Sequence, residues 1–196
     1  MFTGIVERIG TVREITARAG AQRMVIGGAG LGELPVGASI AVNGVCLTVV
    51  ESGDAISVDL IPETLERTNL GALSPDELVN LELPLAAGGR FDGHIVQGHI
   101  DSVGTIARVD IDNHHGTVMT VDVPEDLRRY VMEKGSVTID GVSLTIAALT
   151  EDGFSVALIP HTLEVTTLGL RKRGDTVNLE MDVLAKYVER LLKVRE

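Results

Sequence analysis

The sequence contains very little sulfur and few aromatic side chains. Among its 196 residues there are one cysteine, Cys46, and no tryptophan, and only 3% of the residues are aromatic. A single thiol excludes an intrachain disulfide and cannot supply the set of sulfur ligands that structural zinc sites use. These absences favour a cytoplasmic protein, in which the cysteine stays reduced.

Positive charge and long apolar runs are also scarce. Lys and Arg total 17 against 28 Asp and Glu, and the net charge of -11 would repel the phosphates of a nucleic acid. No run approaches the roughly 18 apolar residues of a membrane helix, and MFTGIVERIG lacks the basic start of a secretory signal. Because 44% of the residues are hydrophobic, there is enough apolar material for a folded core. We expect a globular protein that starts at Met1 and binds neither nucleic acid nor membrane.

The most informative feature is an internal repeat. VNGVCLTV, which starts at Val42, aligns with IDGVSLTI, which starts at Ile139. DLIPETLERTNLG at 59–71 aligns with ALIPHTLEVTTLG at 157–169, and 9 of these 13 residues are identical. VNLE follows both segments. The chain is therefore a duplicated domain.

The repeat predicts how the chain is divided. The first copy covers residues 1–87 and the second covers residues 96–182, with a glycine-containing linker at 88–95. Residues 183–196 lie outside both copies.

Within each copy the hydrophobic pattern has a period of two. Ile56, Val58 and Leu60 alternate with polar residues, as in a strand with one buried face. Many short segments of this kind, separated by Gly, Asp and Asn turns, favour a small closed barrel or a sandwich. Pro62 and Pro160 stand where a proline opens a short helix. The pattern predicts an all-β protein with one helical turn across an end of each copy.

The tail has a helical pattern instead. Asp182 is a candidate N-cap, and the apolar residues after it form one stripe along a helix. The stripe contains Val183, Leu184, Tyr187, Val188, Leu191 and Leu192. Two interpretations stay open: the stripe packs on its own barrel, or it mediates self-association around a shared axis.

The histidines do not form a metal-binding pattern. His94 and His99 are five residues apart, which places them on opposite faces of a strand and about 140° apart on a helix. His114 and His115 lie in DNHHG, which is typical of a solvated hairpin tip. We therefore expect no metal.

The repeat carries a small polar pair twice. Cys46 and Thr48 in the first copy, and Ser143 and Thr145 in the second, are two residues apart on a strand and so share one face. The structural interpretation is a turn followed by satisfied hydroxyl groups. The functional interpretation is a pair of similar ligand pockets, because the same pair recurs beside the same IPxTLE turn. Since Ser143 stands in the place of Cys46, we interpret the thiol as polar lining rather than as a nucleophile.

These segments together resemble a known family. MFTGIVE, NGVCLTV, GHIVQGHID, IDGVSLTI and the paired IPxTLExTxLG segments are very similar to alpha-type riboflavin synthases, over essentially the whole chain. The resemblance implies two six-stranded Greek-key β-barrels and a C-terminal helix that builds a homotrimer. It places each active site between the N-terminal barrel of one subunit and the C-terminal barrel of its neighbour.

The same resemblance implies a transferase reaction. Two molecules of 6,7-dimethyl-8-ribityllumazine dismutate to riboflavin and 5-amino-6-ribitylaminopyrimidinedione by transfer of a four-carbon unit, with no cofactor or metal. Two identical substrates need two similar pockets, which the repeat would supply. Association with lumazine synthase in a larger assembly is left open.

Candidate substrate residues follow from this resemblance, position by position. In the first barrel they are Gly4, Ile5, Val6, Ser39, Cys46, Leu47, Thr48, Asp59, Leu60, Ile61, Pro62, Glu63 and Thr64. In the second barrel they are Gly98, His99, Ile100, Lys134, Ser143, Leu144, Thr145, Ala157, Leu158, Ile159, Pro160, His161 and Thr162. His161 departs from the family, in which we expect Glu, as at Glu63.

The alignment also predicts different roles for the two pockets. His99 aligns with Ile5, so only the second pocket is expected to own an imidazole. His99 is the candidate for proton transfer from the C7 methyl group of one lumazine, with Ser143 and Thr145 orienting the ring or an added nucleophile. We also place Cys46 at the predicted reacting centre, where it serves as polar lining. The alternative is that His99 only binds backbone.

Two other functions are compatible with a duplicated barrel. A non-catalytic lumazine- or flavin-binding antenna protein needs one good pocket only, whereas both copies here keep their polar residues. A flavin reductase barrel would need a nicotinamide-binding domain, and the chain has no βαβ pattern for one.

Overall fold

The computed structural model describes residues 1–28, 30, 34–112 and 116–193. The predicted hairpin tip at His114 and His115 lies outside the described residues, and so do the last three residues of the predicted tail. Within the described part, no helix is both long and apolar enough to cross a membrane.

The first copy folds into a closed barrel of six antiparallel strands, in the order β1-β2-β5-β4-β3-β6. A short helix and a 3₁₀ turn at Asn69–Ala72 connect β5 to β6. The elements are β1 (Arg8–Arg18), β2 (Ala21–Gly27), β3 (Ser39–Val42), β4 (Val45–Ser52), β5 (Ala55–Leu60), α1 (Pro62–Arg67) and β6 (Leu78–Glu82).

The second copy folds into a barrel with the same cyclic order of strands. It has an additional 3₁₀ helix at Glu125–Tyr130, and a 3₁₀ turn at Thr167–Leu170 matches that of the first barrel. The elements are β7 (Ser102–Asp112), β8 (Gly116–Asp122), β9 (Ser136–Ile139), β10 (Val142–Leu149), β11 (Gly153–Leu158), α2 (Pro160–Val165) and β12 (Thr176–Met181).

The order of the strands is that of a Greek key. β3, β4 and β5 are consecutive antiparallel neighbours, and β6 returns to pair with the far side of β3. The register shifts in β1 and β4 recur at the matching places in β7 and β10. The predicted fold class, two six-stranded Greek-key barrels from a duplication, is confirmed, and closure of each barrel removes its exposed sheet edges.

Each barrel has its own apolar core, built from the inward residues of the alternating pattern. Met24, Val58 and Leu81 are buried in the first core, and Met119, Val156 and Leu179 are buried in the second. A third small cluster, Phe2, Ala41 and Val96, joins the N-terminal segment to β3 and to the residue that follows the linker. The alternation seen in the sequence therefore sets the inside of each barrel.

The seam between the barrels is polar and follows a pseudo-twofold axis. Asn80 Nδ2 donates to Asp140 O, and Asn178 Nδ2 donates to Asn43 O, both at 2.9 Å. The oxygen of each asparagine side chain accepts the N–H of the first residue in the other barrel's 3₁₀ turn, at 2.7 and 2.8 Å. An unpaired buried polar group costs about 1–3 kcal/mol, so these reciprocal bonds define how the barrels dock.

The tail forms helix α3 (Val183–Lys193). Asp182 Oδ1 accepts the Leu184 N–H at 2.9 Å, as an N-cap does. Val183 is buried, but the rest of the predicted stripe is 56–67% exposed. The exposed members are Leu184, Tyr187, Val188, Leu191 and Leu192.

The opposite face of α3 binds the second barrel through polar contacts. Tyr130 donates a hydrogen bond to Glu189, and Arg129 Nε lies 3.2 Å from the same carboxylate. Lys186 Nζ lies 2.8 Å from Asp101. The interpretation that the stripe packs on its own barrel is therefore wrong, because the helix docks by its charged face and turns the stripe outward.

Candidate active site

Two tight hairpins place the polar pairs. Asn43-Gly44 connects β3 to β4 and Asp140-Gly141 connects β9 to β10, with positive φ at all four residues, as a type I′ turn requires. A Cβ on Gly44 would lie 2.7 Å from Gly141 N, and a Cβ on Gly141 would lie 2.7 Å from Gly44 N. The two turns therefore meet at the pseudo-twofold axis, and the strands that carry Cys46 and Ser143 diverge from it.

The segment that precedes each barrel, residues 4–6 or 98–100, crosses to the other barrel, and we call these the crossing segments. Ser143 N–H of the second barrel donates to Gly4 O at 2.7 Å, and Cys46 N–H of the first barrel donates to Gly98 O at 2.8 Å. Both approaches need glycine, because a Cβ on Gly4 or Gly98 would lie 2.6 or 2.7 Å from the Cβ of Ser143 or Cys46. Val6 accordingly packs on the second core.

The predicted grouping of the pockets was therefore wrong in this respect. Gly4, Ile5 and Val6 belong to the Ser143 side, whereas Gly98, His99 and Ile100 belong to the Cys46 side. The physical reason is that each segment crosses the seam before its own barrel begins. The prediction that only the Ser143 pocket has an imidazole, that of His99, is therefore also wrong.

Two buried carboxylates hold the crossing segments. Glu82, at the end of β6, accepts the N–H groups of Thr3 (2.7 Å) and Gly4 (3.1 Å). Glu180, in β12, accepts those of Gln97 (2.8 Å) and Gly98 (2.9 Å). Burial raises the pKa of both carboxyl groups, and the backbone hydrogen bonds oppose this shift.

The Ser143 side has an imidazole that the sequence analysis did not assign to it. His94 Nδ1 lies 2.8 Å from Ser143 Oγ, and the His94 N–H donates to Thr3 O at 3.1 Å. His94 Nε2 is buried and has no hydrogen-bond partner among the described residues. Burial lowers the pKa of His94 below its usual 6.5, with the Asp182 carboxylate opposing the shift, so the ring is neutral at pH 7. The repeat gave no signal for this residue, because no position of the first copy aligns with it.

A cleft of about 370 Å³ opens beside Ser143. It is lined by Lys134, Ser143, Leu144, Thr145, Ala147, Ala157, Ile159 and Thr162. All of these except Ala147 are among the predicted substrate residues. A second cleft of about 460 Å³ contains Ile5 together with Thr3, Glu7, Glu82, Leu83, Pro84, Leu85, Ala86, Arg90 and Asp92.

Lys134 has an unusual backbone. Its φ is +66°, and its N–H donates to Ile146 O at 2.9 Å. The first barrel has Gly37 in the equivalent place, with a φ of +90° and the same kind of bond to Val49 O at 2.8 Å. A lysine in the left-handed region is strained where glycine is not. The second barrel therefore has a strained backbone at this position, and the lysine side chain places a positive charge at the cleft.

The Cys46 side has a different charge arrangement. Arg23 donates to both oxygens of Asp59, at 2.8 and 3.0 Å, and also contacts Glu51. The guanidinium lowers the pKa of Asp59. In the second barrel the directly paired residues at this place are Val118 and Ala157. Ser39 pairs with Thr48 across β3 and β4, and the side chain of His99 is exposed.

The other predicted residues fall into two groups. Leu47, Leu60 and Leu158 are buried in the barrel cores, so they can present only backbone atoms to a ligand. The residues at the starts of α1 and α2 are largely exposed: Ile61, Pro62, Glu63, Ile159, Pro160 and His161 are exposed and Thr64 is half-buried. Glu63 pairs with Arg67 one helical turn later, and His161 replaces this carboxylate in the second copy. Among the described residues there is no cluster of three or more His, Cys, Asp or Glu that could hold a metal ion.

Comparison with known proteins gives consistent results. The family model described as "Lumazine binding domain" matches residues 3–84 and again residues 97–182. The riboflavin synthase of Mycobacterium bovis is 49% identical over 98% of both chains. That of Bacillus subtilis is 40% identical over 98% of this chain and 90% of its own.

A solved structure shows the same architecture. The crystal structure of LumP complexed with 6,7-dimethyl-8-(1'-D-ribityl)lumazine matches with a TM-score of 0.82 and 27% identity. The match covers 92% of this chain and 99% of that chain.

Proposed function

The chain belongs to the riboflavin synthase family, and we propose that it converts two 6,7-dimethyl-8-(1-D-ribityl)lumazine molecules into riboflavin and 5-amino-6-(D-ribitylamino)uracil. It is an enzyme of the transferase class, because full-length relatives at 49 and 40% identity are riboflavin synthases. The two products contain all the atoms of the two substrates, so the proposed transfer of a four-carbon unit needs no oxidant or other cofactor.

The observation that carries this proposal is the pair of equivalent polar sites on a pseudo-twofold scaffold. The backbone N–H groups of Cys46 and Ser143 each donate the same hydrogen bond to a crossing segment, and each residue shares its strand face with a threonine. Two like substrates need two like binding sites. Much of the rate would then come from holding the two rings against each other.

We propose that the two sites act across subunits of a homotrimer. The exposed stripe of α3 needs a cover, and a second and third copy of the same helix offer the same apolar surface. The first barrel of one subunit would face the second barrel of its neighbour. The cytoplasmic location and an association with lumazine synthase stay predictions.

The roles of the side chains follow from their environments. His99 is exposed on the Cys46 side and is the proposed group for moving the proton of the C7 methyl group. On the other side, neutral His94 can take the proton of Ser143 Oγ, which makes this hydroxyl the better candidate for addition to a ring carbon. Thr145 and the Lys134 ammonium line the same cleft and would orient the ring and stabilise negative charge on it.

A non-catalytic lumazine-binding protein is not favoured. Identity to the synthases is 40–49%, whereas identity to LumP is 27%. In addition, both barrels here keep their polar pair, while a binder needs only one.

The direct test is to incubate the purified protein with 6,7-dimethyl-8-ribityllumazine alone. We expect riboflavin to appear at half the rate at which the lumazine disappears, with no added cofactor. Tight binding of the lumazine without turnover would refute the enzyme and support the binder.

A further inference from the structure

The segment that carries His99 is held at both ends by the junction of β12 and α3. At its start, Glu180 accepts the N–H groups of Gln97 and Gly98 at 2.8 and 2.9 Å. At its end, the Asp101 N–H donates to Leu179 O at 2.9 Å, and Asp101 Oδ2 accepts the Met181 N–H at 2.8 Å. The position of His99 is thus tied to the last residues of the second barrel.

Asp101 also connects this segment to the tail helix. Lys186 Nζ of α3 donates to both carboxylate oxygens of Asp101, at 2.9 and 2.8 Å. The two side chains are 26 and 17% exposed, so the pair is only partly screened by water. A partly buried pair with two good hydrogen bonds holds its groups more firmly than a surface pair does.

The hydrogen bond from the strand N–H to the carboxylate at the end of this segment acts as a clamp. Among the described residues, the first copy has the same clamp but no lysine paired with it. Glu7 stands in the place of Asp101, and Glu7 Oε1 accepts the Leu83 N–H at 3.0 Å, as Asp101 accepts that of Met181. No residue of the first copy corresponds to Lys186, because α3 lies outside the repeat. Because the clamp forms without a lysine in the first copy, Lys186 is not needed to build it. What the lysine adds is an attachment between the clamp and α3.

We propose that Lys186 and Asp101 are positioning residues that couple the tail helix to the His99 segment, so that assembly of the subunits sets the geometry of the Cys46 site. This inference rests on the proposed function for the meaning of that geometry. The stripe of α3 faces outward and Lys186 faces inward, so a helix fixed by neighbouring subunits also fixes Asp101. Within the part of the chain that the structure describes, no cation joins the Glu7 carboxylate of the first copy to a helix in this way.

The test is Lys186→Met with Lys193→Met as the matched control. Lys193 lies on the same helix but pairs with Glu189, one turn earlier, instead of with the clamp. We expect Lys186→Met to lower kcat on the order of tenfold, with KM for the lumazine changed less than about twofold, because a displaced proton-transfer group slows chemistry more than binding. Sedimentation should show that Lys186→Met forms the same oligomer as the wild type. The conservative variant Lys186→Arg should keep most of the wild-type kcat.

A second measurement does not depend on turnover. Amide hydrogen exchange in the peptide 95–101 should become faster in Lys186→Met and stay unchanged in Lys193→Met. Unchanged exchange and unchanged kcat would overturn the proposal, and so would dissociation of the oligomer, because the lysine would then act in assembly only. If the wild-type protein makes no riboflavin, the proposed function fails while the exchange measurement still decides the coupling.

Discussion

The two barrels share their backbone and differ in the charges that they present to a ligand. Strand order, both register shifts, the type I′ hairpin and the crossing segment occur twice. The charged side chains around these elements differ between the two barrels. The first barrel carries the Arg23–Asp59 pair, whereas the second has Ala157 in the place of Asp59 and adds Lys134 at its cleft.

The duplication therefore preserved the scaffold and changed the charged and ionisable side chains around the two sites. Both sides have an imidazole near the polar pair, but His94 is half-buried against Ser143 while His99 is exposed on the Cys46 side. A half-buried neutral base and an exposed imidazole suit different steps. The proposed reaction needs such a division, because one lumazine gives up carbon atoms and the other receives them.

The largest effect is expected from separating the two sites. Deletion of residues 183–196 should convert the proposed homotrimer to monomers and lower turnover on the order of 10³-fold or more, since the two lumazines would no longer meet. Sedimentation and riboflavin formation are the measurements. Val188→Glu should act in the same direction through the stripe, and Arg190→Glu, on the same helix outside the stripe, is its control. A monomer with full turnover would show that one subunit suffices.

The seam tests whether the copies are interchangeable as scaffolds. Asp140 is fully buried, and its Oδ2 pairs with Arg171 Nη2 at 2.7 Å. Burial raises the pKa of Asp140, and the guanidinium opposes the shift. Asp140→Asn should lower the free energy of unfolding by about 3–5 kcal/mol, because a half-buried arginine loses its partner. Urea unfolding measures this loss.

The first copy supplies the compensating change. Asn43 stands in the place of Asp140, and Leu73 in the place of Arg171. Arg171→Leu added to Asp140→Asn should therefore recover most of the stability. If the double variant is as unstable as the single one, the seam depends on more than this exchanged pair.

The two histidines test the division of roles. His94→Gln and His99→Gln should each slow turnover on the order of 10²-fold with little change in lumazine affinity. Because burial lowers the pKa of His94, the neutral ring persists below pH 6.5, and activity through it is lost only as pH falls through that lowered value. His94→Gln should remove this acid limb from the kcat/KM profile, and His99→Gln should keep it. An acid limb that survives His94→Gln would assign it to another group.

The smallest effect is expected at Cys46. Cys46→Ser gives the first copy the residue that the second copy already has at Ser143, so most activity should survive. Cys46→Val should weaken lumazine binding by about 1–3 kcal/mol through an unmet polar contact. Alkylation should inhibit in proportion to the size of the blocking group. Normal binding by the serine variant without riboflavin formation would instead give the thiol a covalent role.

The sequence by itself determined the duplicated barrels and the polar pairs. Alternating residues such as Ile56 and Val58 decide which face of a strand is buried, and Asn43-Gly44 and Asp140-Gly141 decide the turns, because these preferences act between neighbours in the chain. The repeat then identified equivalent positions without any long-range information.

Only the tertiary structure decided which equivalent position serves which site. The repeat aligns Gly4 with Gly98, but both copies offer the same backbone N–H donor, at Cys46 and at Ser143, so the alignment does not show which barrel each glycine carbonyl reaches. In the structure Gly4 contacts Ser143 and Gly98 contacts Cys46. His94 also contacts Ser143, and Lys186 contacts Asp101. These contacts join residues 49 to 139 positions apart, and such contacts depend on how the two barrels dock rather than on local pattern.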